Sequence, residues 1–333
     1  MNPRELVYRT LEFNKPQRVP RQLWLLPWAV NNYPQMLDKI KRDFPDDIIH
    51  AAGFLKTYPK CEGNAFEVGQ YVDEWGCVFE NRQSGIIGEV KTPLIREWSD
   101  RDKLRLPHEV LTVDAPAVNA FCAASDKFIL SGCCPRPFER IQFLRGTENV
   151  MMDLALESPE FFELLNTLHE FFIKELLAWA QTDVDALTFM DDWGAQRSLL
   201  ISPATWRKVF KPLYKEYIDI AHAHGKKAFM HSDGYIADII EDLVELKLDA
   251  VNAQIFCMGV EDLGRRFRGK ITFWGEIDRQ NLLPNATVQE IEQAVRRVKD
   301  NLWADGGCIA QCEFGPGANP DNVYKTFEVW DML

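Results

Sequence analysis

The chain has 333 residues, 46% of them hydrophobic and 26% charged, and its 50 acidic against 38 basic side chains leave a formal charge of −12. This is the composition of a globular protein with a large core, and the acidic balance argues against nucleic acid, whose phosphates require a basic stripe. The charged start, Met1-Asn2-Pro3-Arg4-Glu5, is unlike a secretory signal and no later run approaches the roughly 18 apolar residues of a membrane span, so a soluble cytoplasmic protein is expected.

In chain order, the first strand candidates are Gln22-Leu-Trp-Leu-Leu26 and the short Asp47-Ile-Ile49. Residues 55 to 125 then break the rhythm: Tyr71-Val-Asp-Glu-Trp-Gly76, Phe79 and Ile86-Ile87 alternate with polar residues, which predicts an antiparallel ribbon with loops over one mouth of the fold. From residue 127 onward, apolar runs and amphipathic helical stretches alternate. The runs are Lys127 to Gly132, Asp185 to Met190, Lys227 to Met230, Ala250 to Gln254, Ile271 to Trp274 and Cys308 to Gln311. Ser158-Pro159 and Ser202-Pro203 mark helix starts, Thr287-Val-Gln-Glu290 has capping-box spacing, and Gly225 ends the helix that begins at Pro203. Strand, helix, strand repeated in this way makes parallel strands joined by crossover helices. Eight of them close into a single (β/α)8 TIM barrel over residues 1 to 333, with the insertion at about 55 to 125; a doubly wound open sheet is the alternative, without its Gly-rich first turn.

A parallel barrel places its active site at the C-terminal ends of the strands. There this chain has Cys133 and Cys134; Asp191, Asp192, Trp193 and Gln196; His231, Ser232 and Asp233; Gln254; Glu276 and Asp278; and Cys312 and Glu313. Polar residues also follow strands simply because loops begin there, and Asp191 or Asp233 would serve equally as a helix cap. Their recurrence at five successive strand ends points to a site. The eight cysteines form no CxxC pair, which excludes a zinc ribbon, and they read as reduced thiols; Cys133-Cys134 is read as packing. His222 and His224, in the last turn of a helix, and the clusters Arg265-Arg266 and Arg296-Arg297 are read as surface.

Asp191-Asp-Trp-Gly-Ala-Gln196, Ile201-Ser-Pro203, His231-Ser-Asp-Gly234, Trp274-Gly-Glu-Ile-Asp-Arg-Gln280 and Asn319-Pro-Asp-Asn322, together with Arg18-Val-Pro20 and Tyr71 to Gly76, resemble the uroporphyrinogen decarboxylase superfamily. The resemblance is nearest to its cobalamin (corrinoid)-dependent methyltransferase branch and covers essentially the whole chain. It implies a (β/α)8 barrel and one of two chemistries. Uroporphyrinogen decarboxylases need no cofactor, and the resemblance would require an arginine-rich N-terminal loop to clamp a poly-carboxylate. Here that loop, Pro20-Arg-Gln-Leu-Trp-Leu-Leu-Pro-Trp28, has one arginine and two tryptophans.

The methyltransferase branch implies zinc held after one strand by a His-x-Cys pair and by a cysteine after the last. This sequence has His231-Ser232-Asp233 and Cys312 in those places, with aspartate where thiolate is expected. The expected ligands are therefore His231, Glu276 and Cys312, with Asp233 either coordinating or orienting the imidazole. A harder, more Lewis-acidic metal suits an ether donor better than a thiol. The expected reaction moves a methyl group from a small donor such as a methoxylated aromatic to a corrinoid protein, an O-demethylation; a cofactor-free decarboxylase is the alternative, and a non-catalytic binding module the third reading. Trp24, Trp28 and Trp193, if they face the pocket rather than the core, would stack on the donor, with Gln196, Gln254 and Asp278 completing the substrate contacts. Asp191 or Asp192 would protonate a leaving oxygen, and Asp233 joins them as a catalytic candidate.

Overall fold

The computed structural model describes residues 1–333. The strands, in chain order, are β1 (Arg21–Leu25), β2 (Ile48–His50), β3 (Gly69–Val72), β4 (Val78–Asn81), β5 (Glu89–Thr92), β6 (Phe128–Leu130), β7 (Ala186–Met190), β8 (Lys227–Ser232), β9 (Ala250–Ala253), β10 (Thr272–Trp274) and β11 (Cys308–Phe314). Eight of them form one parallel sheet in the order β1-β11-β10-β9-β8-β7-β6-β2. All eight coincide with the apolar runs of the sequence. The outer strands β1 and β2 meet through carboxylates: Asp47 Oδ2 accepts from the Arg21 backbone N at 2.9 Å, Asp46 Oδ1 from Leu23 N at 2.7 Å, and the Arg21 carbonyl takes the Asp47 N–H. The Arg18 guanidinium forks onto both Asp47 oxygens at 2.6 Å. The result is a (β/α)8 barrel.

Inside the barrel a separate apolar layer gathers Ile48, Phe128, Leu130, Ala186, Phe229, Ala250, Trp274 and Ile309 with Val7 and Leu11. The last two come from the N-terminal helix Pro3–Leu11, whose start is capped by Asn2. That helix plugs one end and leaves the C-terminal strand ends as the open mouth. Because side chains alternate along a strand, this layer fixes which residues look inward: Phe229, His231 and Asp233 on β8 and its extension, Ala250, Asn252 and Gln254 on β9, and Ile309, Gln311 and Glu313 on β11.

Between β2 and β6, strands β3, β4 and β5 form the antiparallel ribbon. It leans on the β6–β7 side of the mouth: Trp75 packs edge-on against Phe171 at 5.1 Å, Phe79 against Phe143 at 5.3 Å, and Arg140 pairs with Asp73. Two helix details differ from expectation. The helix from Pro203 stops at Val209 and a second, Lys211–Ala223, begins beyond Phe210, because Pro212 has no N–H to continue the ladder. Ser158 stands at the N-cap of Pro159–Ala180 but turns its hydroxyl to Asp153 at 3.2 Å. Ser202 and Thr287 cap as predicted, the latter with a full capping box.

Candidate metal centre at the barrel mouth

The loops leaving β7 and β8 are zipped together. Asp191 N bonds to the His231 carbonyl at 3.1 Å, Gly194 N to the Asp233 carbonyl at 3.0 Å, Tyr235 N to the Ala195 carbonyl at 2.8 Å and Trp193 N to Ser232 Oγ at 3.1 Å. This needs glycine on both sides: a Cβ on Gly194 or Gly234 would come within 2.7 Å of the other's backbone, and Gly234 has φ +76°. The crossing brings Asp192 and Asp233 to either side of His231.

His231 Nε2 lies 3.6 Å from Asp192 Oδ1 and 3.6 Å from Asp233 Oδ1. These three atoms lie within 4.8 Å of one another, and no other group of three or more His, Cys, Asp or Glu side chains in the chain meets so closely. The imidazole is oriented from behind. Its Nδ1 lies 2.6 Å from Asn252 Oδ1, while Asn252 Nδ2 donates to the Trp274 carbonyl. Since the amide nitrogen is committed to that carbonyl, the oxygen must accept, so Nδ1 carries a proton and Nε2 is the ring nitrogen that faces the two carboxylates. The Trp24 ring walls the site, tilted at 5.1 Å from the His231 ring.

Asp233 divides its oxygens. Oδ2 pairs with Arg279, whereas Oδ1 is buried without any hydrogen-bond partner. Asp192 Oδ1 also receives the Asp233 N–H at 2.9 Å. An orphaned buried carboxylate oxygen beside the imidazole Nε2 is an arrangement that could hold a cation. Ligands at about 2.0–2.1 Å in a tetrahedron lie roughly 3.4 Å apart, close to the separations found here. One nitrogen and two oxygens with no thiolate make a hard donor set, suited to zinc or a neighbouring divalent ion, that would leave the bound metal more Lewis-acidic than thiolates would.

The structure does not bring Glu276 and Cys312 to His231. Cys312 belongs to the layer between the strands and the outer helices, because inward positions on β11 fall at Ile309, Gln311 and Glu313; burial pushes its thiol well above the ordinary range. Glu276 is 3% exposed, lies 3.5 Å from Arg279, and is pushed up to about 8 by burial, with Arg279 opposing and Asp233 and Glu313 adding to the rise. Arg279 also reaches Glu313 at 2.9 Å and so serves three carboxylates at once.

The other candidates separate by the direction they face. Asp191 is fully buried and turned outward, where it accepts from Phe138 N at 3.1 Å, Glu139 N at 2.7 Å and the Tyr214 hydroxyl at 2.5 Å; it caps the helix Pro137–Arg145. Burial, with Glu139 adding, holds its carboxyl well above the usual range. Trp193 is likewise core, stacked on Phe138 at 4.1 Å with its indole N–H on the Tyr214 hydroxyl at 2.8 Å. Trp28 is half-buried and packs edge-on against Tyr33 at 5.6 Å. Asp278 spends Oδ1 on the backbone of Gln280 and Asn281, both at 2.8 Å. Gln254 accepts the Gly234 N–H at 3.1 Å.

Among the cavities that open from the mouth, two border these residues. One of about 770 Å³ lies between the ribbon and the β6–β7 loops and reaches Asp192; the other, about 250 Å³, includes Gln196, Gln254, Glu276, Asp278 and Arg279. Asn252 and Arg279 were missed as site residues from sequence, although both stand inside quoted segments. The strand period of two through Ala250, Asn252 and Gln254 was the available signal for the first.

A family model described as uroporphyrinogen decarboxylase (URO-D) matches residues 73–331. No curated protein sequence matches the chain. Among solved structures, a methyltransferase from Methanosarcina mazei is similar over 100% of this chain and 99% of its own, with a TM-score of 0.67 and 13% identity. A B12-independent methionine synthase from Shewanella sp. W3-18-1 is similar over 95% of this chain and 93% of its own, with a TM-score of 0.47 and 14% identity. At 13% identity the likeness to the Methanosarcina mazei protein is one of fold.

Proposed function

The chain belongs to the uroporphyrinogen decarboxylase family, and from that premise we propose that it is a metal-dependent methyltransferase, moving a methyl group from a small donor, a methoxylated aromatic, to the corrinoid of a partner protein. The observation that carries this reading is the unpartnered Asp233 Oδ1 facing Nε2 of His231, with Asp192 completing the set. Bound by His231, Asp192 and Asp233, zinc would supply a Lewis acid that makes an ether oxygen a better leaving group. The chain's own residues do the rest. Asn252 holds the imidazole in the ligating tautomer, Arg279 keeps Asp233 in place while balancing Glu276 and Glu313, and Trp24 screens one side of the site from water.

A poly-carboxylate tetrapyrrole fits this mouth less well. The one arginine of the N-terminal loop, Arg21, points out of the barrel and pairs with Asp331 at 2.7 Å, and Arg279 is already shared by three acids. No helix is long and apolar enough to cross a membrane, and all eight cysteines are free thiols, which supports the cytoplasmic setting proposed here.

The test is the metal content of the purified protein together with methylation of cob(I)alamin from a panel of methoxylated aromatics. About one zinc per chain, lost in His231→Ala and Asp233→Ala, with donor-dependent methylcobalamin formation, is the expected result. A metal-free protein that decarboxylates uroporphyrinogen would overturn it.

A further inference from the structure

The larger cavity holds polar groups that neither the fold nor the metal cluster uses. Glu175, on the helix Pro159–Ala180, lines it, is 9% exposed and makes no hydrogen bond. Arg136, just before the helix Pro137–Arg145, lines the same space and approaches its nearest carboxylate, Glu139, only at 3.9 Å. The cavity's other arginine spends its terminal nitrogens within the protein: Arg140 pairs with Asp73 and Glu74 and lies over the Trp75 ring at 4.9 Å, with only its Nε unpartnered. Around them the walls are aromatic, with Trp75, Phe79, Phe143, Phe171 and Trp179.

The hydrogen-bond chemistry of the two free groups is one-sided. A guanidinium only donates. Burial, reinforced by Glu74 and opposed by Arg136 and Arg140, pushes Glu175 up to about 8, so that near neutral pH its carboxyl also carries a donor. A partly exposed guanidinium and a buried carboxyl, neither held by a hydrogen bond to another side chain, stand between aromatic walls beside the unpartnered Glu139 Oε2, and this suits a flat ligand that brings an oxygen acceptor.

We propose that Arg136 and Glu175 form a second binding point for the substrate, one that recognises an oxygen hydrogen-bond acceptor, carbonyl or carboxylate, carried on an aromatic ring. That such a ligand is also the methyl donor rests on the methyltransferase reading; the binding point itself rests on the cavity.

Isothermal titration calorimetry on the purified full chain tests it with methoxybenzene, 4-methoxyacetophenone and 4-methoxybenzoate. Both substituted rings bind tenfold or more tightly than methoxybenzene, the value of one or two buried hydrogen bonds, and the ratio of ketone to carboxylate separates neutral from anionic acceptors. Glu175→Leu and Arg136→Leu lose the preference, with circular dichroism confirming their folding. Glu175→Gln, which keeps a donor, retains it for the ketone. Between pH 7 and 9 the wild-type preference falls as Glu175 loses its proton, and the glutamine variant stays flat. The groups facing Glu175 are Glu74 from the ribbon, Arg136 and Arg140, Cys133 and Cys134 after β6, and Tyr217. Their thiols and phenol are all raised by burial, so none of them titrates with a falling preference in this window. Equal binding of all three ligands, or a preference that survives both leucine variants, overturns the proposal. Preferential binding without methyl transfer overturns the proposed function and leaves the binding point standing. Methyl transfer from all three ring ethers with no binding preference among them does the reverse.

Discussion

Replacing Asn252 by alanine tests the metal centre without touching a ligand. Asn252 Oδ1 is the sole side-chain partner of His231 Nδ1, at 2.6 Å, and the asparagine is 1% exposed, so water does not readily take its place. Without it the imidazole is free to place its proton on either nitrogen and to rotate away from Asp192 and Asp233. Loss of such an outer partner costs about 10- to 100-fold in metal affinity, or roughly 1.4–2.7 kcal/mol. The fold loses more, since the Trp274 carbonyl is left unpaired in the interior, which adds about 1–3 kcal/mol of destabilisation. The assay is a zinc titration against a competing chelator at pH 7.5, with urea unfolding in parallel to separate affinity from folding. The expected result is an intact stoichiometry with the affinity reduced by that factor, against loss of the site in His231→Ala. Cys312→Ser and Glu276→Gln, by contrast, leave zinc affinity within a few-fold of wild type. Wild-type affinity in Asn252→Ala, or loss of zinc in Cys312→Ser, would refute the assignment of the ligands and their support.

Glu175 predicts an unusual pH dependence of stability. Its folded pKa of about 8 lies above the unfolded value, so the native chain binds the extra proton between about pH 4.5 and 8 and stability falls as pH rises through that window, by up to several kcal/mol; Glu175→Gln raises Tm little at pH 5 and most at pH 8, and an equal gain at both would exclude this origin. Trp193→Ala costs about 3–5 kcal/mol in denaturant unfolding, from the lost stack on Phe138 and the lost indole hydrogen bond to the Tyr214 hydroxyl, which keeps its bond to Asp191, while zinc binding is retained. Asp191→Ala, measured in the same way, removes the cap of the helix Pro137–Arg145 and leaves buried donors unmet, costing about 2–4 kcal/mol; a metal-free but fully stable variant would return Asp191 to the mouth.

The barrel was legible because strands buried on both faces are written as near-continuous apolar runs, and all eight were found where those runs stand. The ribbon was legible from its alternation. The group of side chains that meets at His231 was less so, for a geometric reason. Motif position identifies a strand end, but the period of two decides which of two neighbours looks inward, and that parity cannot be read at the polar end of a strand without the layer beneath it. Asp191 and Asp192 are adjacent, yet one caps a helix outside the barrel and the other faces His231. Cys312 and Glu313 divide in the same way, the thiol into the helix layer and the carboxylate onto Arg279. Once Phe229 and Ile309 are known to lie inside, counting by twos selects His231, Asp233 and Glu313 and rejects Cys312. The aspartate found where a thiolate was expected then has a consistent place. With Cys312 turned away, Asp233 stands beside the imidazole with one oxygen held by Arg279 and the other free, so the substitution and the parity of β11 together leave nitrogen and oxygen donors at the proposed metal site.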